Sequence, residues 1–167
     1  MKRQLMKGAP RTRYIIACGT IAHYLFLTRQ EARLVFGGLP PKEGPLSEGY
    51  FAIPTVFADA SNDWRLAREE IFGPVLVAMR WTDVGDLIDK ANDSPYGLAA
   101  GLWTNDLTQA HRIAAAIRAG TVWVNCYNLT DPASPFGGYK QSGWGREMGR
   151  AVLEQYTETK SVWVNLT

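Results

Sequence analysis

The chain has 167 residues, 46% of them hydrophobic and 11% aromatic, and its 18 lysine and arginine residues nearly balance 16 aspartate and glutamate residues. This composition is typical of one soluble globular domain, and a net charge of +2 is too small for an electrostatic nucleic-acid interface. Two cysteines and two widely spaced histidines exclude a disulfide scaffold and a zinc site. We therefore expect a cytoplasmic α/β or α+β domain without a metal.

The first thirty residues differ in character from the rest. A basic start is followed by a mostly apolar stretch at residues 14–27. A helix over that stretch would rise only ~21 Å, which is short of the ~30 Å hydrocarbon core of a membrane. A secretory signal fits the basic start, but no pair of small residues comes after Leu27 as a cleavage site. The sequence favours an ordinary buried helix or strand, in a segment (residues 1–30) that is distinct from residues 31–167.

Strand and helix patterns alternate along the remaining chain. Strands are predicted at residues 51–57, 75–81, 98–104, 121–125 and 161–166. Helices are predicted at residues 62–71, from Asp83 to the break at 94–97, at 107–119 with Gly120 as its C′ residue, and at 146–156. Strands that are separated by helices predict an α/β fold with a mostly parallel sheet flanked by helices.

Two carboxylates stand next to a Gly-Pro turn in residues 69–75 (EEIFGPV). A carboxylate at the carboxyl end of a helix faces the negative end of the helix dipole, which is mildly unfavourable. Such a choice points to a carboxylate that is kept for a ligand. The alternative is a solvated helix end in which Arg65 or Arg68 pairs with the carboxylates.

The stretch at 134–143 is rich in glycine and proline, which fixes one loop path and is typical of segments that line sites. Its spacing excludes a Walker A loop, and the glycines at 143–149 follow no strand closely enough to form a dinucleotide fingerprint. A structural crossing segment is the alternative. Cys126 follows a predicted strand, where a nucleophile could stand, but no activating base is recognisable, and an inert buried thiol is favoured for it and for Cys18.

Six ordered blocks resemble the C-terminal part of the NAD(P)-dependent aldehyde dehydrogenases. They lie at residues 49–57, 69–75, 91–101, 120–125, 135–145 (PFGGYKQSGWG) and 156–160. The resemblance covers residues 31–167. It implies a partial catalytic domain at 31–145 and, at 146–167, a linking helix and an oligomerisation strand.

The resemblance also implies roles for particular residues. Those enzymes oxidise an aldehyde to a carboxylic acid through a cysteine thioester, with NAD or NADP as hydride acceptor. Glu70 would accept hydrogen bonds from the nicotinamide ribose, and Phe72 would pack beside the nicotinamide ring. Leu129, Thr130 and Phe136 would line the aldehyde pocket. The oligomerisation strand, which would join the sheet of a partner subunit in a homo-oligomer, would consist of Ser161, Val162, Trp163, Val164, Asn165 and Leu166.

The sequence departs from the family pattern at the reacting groups. The family's Gly-Gln-x-Cys nucleophile block and its Glu-Leu-Gly-Gly-Lys base block are absent, so no catalytic residue is identifiable. We therefore expect the chain alone to be inactive. One alternative is a non-catalytic module that pairs with an intact homologous subunit or with a separate N-terminal half of such an enzyme. The other is a truncated or frame-shifted product. No membrane or nucleic-acid partner is expected.

Overall fold

The structure is a computed structural model that describes residues 2–7, 13–19, 32–39, 42–48 and 51–167, the first two ranges as backbone only. Its strands are β1 (Lys2–Lys7), β2 (Arg13–Gly19), β3 (Arg33–Phe36), β4 (Thr55–Ala58), β5 (Val75–Arg80), β6 (Tyr96–Gly97), β7 (Ala99–Leu102), β8 (Thr121–Val124) and β9 (Tyr139–Lys140). Its α-helices are α1 (Arg65–Arg68), α2 (Val84–Asn92), α3 (Leu107–Ala116) and α4 (Val152–Tyr156). A short 3₁₀ helix spans Pro45–Ser47.

Seven of the strands form one sheet in the order β3-β4-β5-β2-β1-β7-β8, and β6 pairs with β9 in a small second sheet. The pairs β4–β5, β1–β7 and β7–β8 are parallel, whereas β3–β4, β2–β5 and β1–β2 are antiparallel. Five strands therefore run in one direction, and β2 and β3 run in the other. The predicted α/β class is confirmed, although the pairing is more mixed than a mostly parallel sheet.

The amino-terminal hairpin, which consists of β1 and β2, accounts for two of the three antiparallel pairs in the sheet. β2 pairs antiparallel with β5, from Tyr14 opposite Arg80 to Gly19 opposite Val75. β1 pairs antiparallel with β2 and parallel with β7, where Lys2 lies opposite Ala99. The hairpin thus lies between β5 and β7 in the sheet. A strand was one of the two structures expected for the segment that begins at residue 14, and its residues 20–27 lie outside the described part of the chain.

Two hydrophobic clusters hold the sheet and helices together. One is built on Phe57, Leu66, Ile71, Val75 and Val77, all at most 2% exposed. The other joins β5 and β7 to α2 and α3 through Met79, Leu87, Ala100, Leu102, Ala110, Ile113 and Ile117. Full burial of one such large side chain stabilises a fold by about 1.5–3 kcal/mol. The predicted apolar face of α2 is confirmed at Leu87, which is buried in this cluster, and at Val84 and Ala91, which pack against it.

Both longer helices begin at an aspartate cap. The Asp83 carboxylate accepts hydrogen bonds from the backbone N–H groups of Gly85 and Asp86, and Asp106 accepts one from Gln109. Each bond satisfies an N–H group that has no partner within the helix. These caps fix the amino ends of α2 and α3 at the predicted positions.

The carboxyl ends of several elements differ from the prediction. α3 ends at Ala116, so Gly120 is not its C′ residue. A Cβ atom on Gly120 would collide with the backbone oxygen of Gly137, and this close approach accounts for the glycine. α1 covers only Arg65–Arg68 of the predicted 62–71. α4 starts at Val152 instead of 146, because Met148 and Gly149 have positive φ angles of 59° and 58°.

The predicted strand at 161–166 is not formed in this chain. Residues 157–167 have no regular secondary structure and are all exposed. Val162, Trp163, Val164 and Leu166 are between 73% and 94% exposed. A strand needs a neighbour to satisfy its backbone groups, and residues 161–166 pair with none of the described strands.

Candidate functional site

The first part of the site is the turn between α1 and β5, which separates the two carboxylates that the sequence places side by side. Glu69 is the C-cap residue of α1 and binds the Arg65 guanidinium through both oxygens, at 2.7 and 3.0 Å. Arg68 pairs instead with Asp93 at 3.1 Å. Glu70 is exposed, and its carboxylate has no ion pair or hydrogen bond with any described residue. The predicted arginine pairing therefore holds for Glu69 and leaves Glu70 available.

Phe72 lies two residues further, in an unusual backbone conformation. Its φ angle is +42° and its side chain is 78% exposed. The residues around it are firmly held, since Ile71 is 2% exposed and the Pro74 carbonyl accepts a 2.8 Å hydrogen bond from the Thr55 N–H. A non-glycine residue in the left-handed region costs about 1–3 kcal/mol and persists only where the surroundings impose it. The turn thus presents an aromatic ring to solvent next to the Glu70 carboxylate, which has no partner among the described residues.

The second part of the site is a cavity beside β8, with a volume of about 330 Å³. It contains all three residues that were predicted to line an aldehyde pocket, Leu129, Thr130 and Phe136. The other lining residues are Thr121, Val122, Trp123, Asp131, Ser134, Pro135 and Met148. Asp131 and Met148 were not predicted to line the cavity, because the loop path that brings them there depends on contacts between residues that are distant in sequence.

The loop after β8 runs back along that strand and forms the cavity wall. The indole N–H of Trp123 donates to the Leu129 carbonyl at 2.8 Å, and Phe136 and Glu147 exchange two backbone hydrogen bonds of 2.7 Å. The loop then passes so close to Gly120, which precedes β8, that a side chain there would not fit beside Gly137. Phe136 is therefore placed near the amino end of β8.

Both parts lie at the same edge of the sheet. Phe72 precedes β5 and Gly120 precedes β8, and these strands run in the same direction, so both positions are at the amino-terminal edge. Strands β2, β1 and β7 lie between β5 and β8. At a spacing of about 4.8 Å per strand, the axes of β5 and β8 are about 19 Å apart across the sheet.

The cysteines occupy opposite edges. Cys126 is half-buried and follows the carboxyl end of β8, whereas Glu70 and Phe72 are at the amino-terminal edge. Cys18 lies opposite Leu76 in the register of β2 with β5, near the amino-terminal edge, and only its backbone is described. Cys126 therefore lies at the opposite edge of the sheet from Glu70 and Phe72, and the inert role that the sequence favours for its thiol stays a prediction.

The carboxyls with perturbed pKa values lie outside this site. Hydrogen bonds from Lys90 and from the Thr82 N–H lower the pKa of Asp86, and the Arg33 and Arg80 guanidinium groups lower the pKa of Asp59. Within the described part of the chain, no three His, Cys, Asp or Glu side chains lie close enough together to hold a metal ion. The helices of the described ranges are all too short or too polar to cross a bilayer.

Known proteins similar to this chain share one family. The chain is 60% identical over 135 residues to the putative aldehyde dehydrogenase DhaS of Bacillus subtilis, and 49% identical over 135 residues to a betaine aldehyde dehydrogenase of Brucella anthropi. Each match covers 81% of this chain but only 26% and 28% of those two proteins. This chain therefore spans about a quarter of the length of these relatives.

The solved structures that resemble this chain include aldehyde dehydrogenases. An indole-3-acetaldehyde dehydrogenase in complex with NAD+ matches with a TM-score of 0.78 and 46% identity, over 86% of this chain and 29% of that one. The NAD+ complex of an aldehyde dehydrogenase from Bacillus cereus matches with a TM-score of 0.77 and 47% identity, over 87% and 29%. A sequence profile of the aldehyde dehydrogenase family matches residues 20–162. The chain therefore belongs to the aldehyde dehydrogenase family.

Proposed function

We propose that this chain is the C-terminal part of an NAD(P)-dependent aldehyde dehydrogenase that oxidises an aldehyde to a carboxylic acid in the cytoplasm. In this proposal residues 31–145 are part of the catalytic domain, and residues 146–167 are a linking helix and an oligomerisation strand. The observation that carries it is the exposed Glu70 carboxylate, without a partner among the described residues, beside the exposed ring of Phe72.

The chemistry of that turn fits a nicotinamide nucleoside. A carboxylate has two oxygens that accept hydrogen bonds, which suits the paired hydroxyls of a ribose. An exposed aromatic ring offers an apolar face on which a flat ring can pack. NAD or NADP, when bound, supplies the acceptor for the hydride that leaves the aldehyde carbon. Glu70 would hold the ribose, and Phe72 would limit the movement of the nicotinamide ring.

The cavity beside β8 is the proposed aldehyde pocket. Leu129, Thr130 and Phe136 line it together, and a volume of about 330 Å³ suits a small aldehyde. Because much of the lining is apolar, the size and shape of an aldehyde would contribute to whether it enters.

Binding of nicotinamide mononucleotide to the full chain tests the ribose anchor. We expect Glu70→Gln to raise the dissociation constant about fivefold, because a charge-assisted hydrogen bond becomes a neutral one. Glu69→Gln is the matched control, because Glu69 is already paired with Arg65. Equal effects of the two substitutions, or no effect of Glu70→Gln, would contradict the proposed role.

We further propose that this polypeptide has no dehydrogenase activity alone, because no activated thiolate is identifiable in it. The test is an assay of the full chain with NAD or NADP and several aldehydes. We expect no turnover above that of the Glu70→Gln and Cys126→Ser variants. Turnover that depends on either residue would contradict this part of the proposal.

A second function is favoured by the exposed terminal segment. Residues 161–166 expose the apolar side chains of Val162, Trp163, Val164 and Leu166 and pair with none of the described strands. They would add to the sheet of an intact homologous subunit or of a chain that carries the N-terminal half. Co-purification with such a chain, lost on deletion of residues 161–167, is the expected result. A stable monomer that is unaffected by the deletion would exclude it.

A further inference from the structure

We propose that the cavity beside β8 selects aldehydes that carry a cationic group, and that Asp131 recognises the positive charge. The inference rests on the proposed function, in which this cavity receives the aldehyde. It adds a chemical class of substrate and names a residue that determines specificity.

Of the ten described residues that line the cavity, Asp131 alone is ionisable. Its Oδ1 atom accepts a 2.8 Å hydrogen bond from the Ala133 N–H. Asp131 is exposed, and its Oδ2 atom has no hydrogen bond or ion pair with any residue in the described ranges. The cavity therefore carries one negative charge, and one carboxylate oxygen is available to a ligand.

The local turn does not explain why residue 131 is charged. Ala133 needs an acceptor at Oδ1, and the Ser134 N–H donates to the backbone oxygen of Asp131 at 2.9 Å. An asparagine would supply the same Oδ1 acceptor, since it makes the same local turn. The charge is thus an additional feature, which acts on whatever occupies the cavity.

The remaining lining is also suited to a cation. Trp123 and Phe136 contribute aromatic side chains, and the indole N–H of Trp123 is used by the Leu129 carbonyl. Aromatic faces attract alkylammonium groups through the ring quadrupole, most strongly for tryptophan. A carboxylate together with aromatic rings favours a positively charged substrate and disfavours a negatively charged one.

Two ligands of the same shape, one charged and one neutral, distinguish the effect of charge on binding from the effect of size. Choline and 3,3-dimethylbutan-1-ol differ by a quaternary nitrogen in place of a carbon, and neither reacts. Ligand-observed NMR titrations of the full chain would measure both dissociation constants. We expect choline to bind about fivefold more tightly, which is the size of one partly exposed cation–aromatic and charge contribution.

Two variants complete the test. Asp131→Asn keeps the hydrogen bond to Ala133 and should bring the two dissociation constants within about a factor of two. Asp89→Asn, at an exposed position of α2, changes the net charge equally and should leave the preference intact. A thermal unfolding curve of each variant would check that the fold is retained.

The possible outcomes distinguish this inference from the proposed function. If both ligands bind equally, or if Asp131→Asn retains the preference for choline, charge selection is wrong and the pocket proposal stands. If neither ligand binds, or if Phe136→Ala leaves both affinities unchanged, the cavity is not the ligand pocket and both proposals fail. Weaker binding of choline than of the neutral alcohol would also overturn the inference.

Discussion

Phe72 combines two features that stability alone does not favour. The ring is 78% exposed, so its burial contributes little, and a φ angle of +42° is sterically costly for a side chain with a Cβ atom. Strain of this kind is found where a site requires a particular side-chain direction. The proposed contact with the nicotinamide ring would account for both features.

Replacing Phe72 with glycine should therefore stabilise the protein while it weakens ligand binding. Glycine adopts positive φ angles without steric cost, so we expect the free energy of unfolding in urea to rise by about 1 kcal/mol. Phe51→Gly is the control, because Phe51 is 49% exposed and has no positive φ angle, and that variant should lose stability. A loss of stability in both variants would argue against strain at Phe72.

Asp86 links stability to pH through two hydrogen bonds. Its Oδ2 atom accepts from Lys90 Nζ at 2.9 Å and from the Thr82 N–H at 2.8 Å, and both lower the pKa of the carboxyl below 3.8. A group with a lower pKa in the folded state adds stability that is complete above its unfolded pKa and is lost as the pH falls through the folded pKa. The contribution of Asp86 should therefore decrease progressively as the pH falls below about 4.

The Asp86→Asn variant tests this dependence. We expect it to be less stable than the parent near pH 6, with a difference that shrinks as the pH falls below about 4, because protonation then progressively removes the charge in the parent. Urea unfolding followed by circular dichroism at several pH values would measure the two curves. Asp89→Asn removes a carboxylate from the same helix and is the control. A difference between Asp86→Asn and the parent that stays constant with pH would show that its charge does not matter.

At the scale of elements, Lys140 in β9 connects the loop that follows β8 with the carboxyl end of α2. Its Nζ atom donates to the carbonyls of Asn92 and Ser94, at 2.6 and 3.0 Å, at the carboxyl end of α2. The side chain of Asn92 in turn bonds the Ala116 carbonyl and the Arg118 N–H, at 2.8 and 2.7 Å. One lysine and one asparagine thus connect β9 with the carboxyl ends of α2 and α3. A cation is also favourable near the carboxyl end of a helix.

Removing the Lys140 ammonium should loosen this connection. For Lys140→Met we expect a loss of about 1–3 kcal/mol in the free energy of unfolding, because two charge-assisted hydrogen bonds are removed and the methylene stem is kept. Lys160→Met, in the exposed terminal segment, should change stability by less than about 0.5 kcal/mol. Faster amide exchange at Gly97 and Tyr139, which pair across β6 and β9, would locate the effect. Equal stability of the two variants would contradict the assignment.

Sequence patterns predicted elements well where their causes are local. The amphipathic face of α2 and its Asp83 cap lie within one short stretch, and both are present. The role of Gly120 was predicted wrongly because the glycine is required by the close approach of the Gly137 backbone, which is distant in sequence. The predicted strand at 161–166 pairs with none of the described strands. For the site, the family resemblance predicted that Leu129, Thr130 and Phe136 lie together, and the three residues line one cavity. Asp131 and Met148 were missed because the return of the loop along β8 leaves no periodic signal in the sequence.

For the whole molecule, the continuity of the sheet depends on the amino-terminal hairpin. β5 and β7 belong to two parallel pairs, and β1 and β2 lie between them. The backbone pairing extends over six residue pairs with β5 and four with β7. Without the hairpin both strands would present unpaired backbone groups, although Met79 and Leu102 would still contact the shared cluster.

Deleting residues 2–19 should consequently lower the free energy of unfolding by about 3 kcal/mol or more, since many backbone hydrogen bonds of about 0.5–1.5 kcal/mol are lost together. The exposed strand edges should also promote association, which light scattering would detect. Deletion of residues 161–167 is the control, because that segment contributes no strand to the sheet. If the variant lacking 2–19 stays monomeric and unfolds at the urea concentration of the full chain, the hairpin is not a component of the folded sheet. In that case β5 and β7 would have to pair with each other or be covered by another segment, and amide exchange at Val77 and Ala100 would distinguish these arrangements.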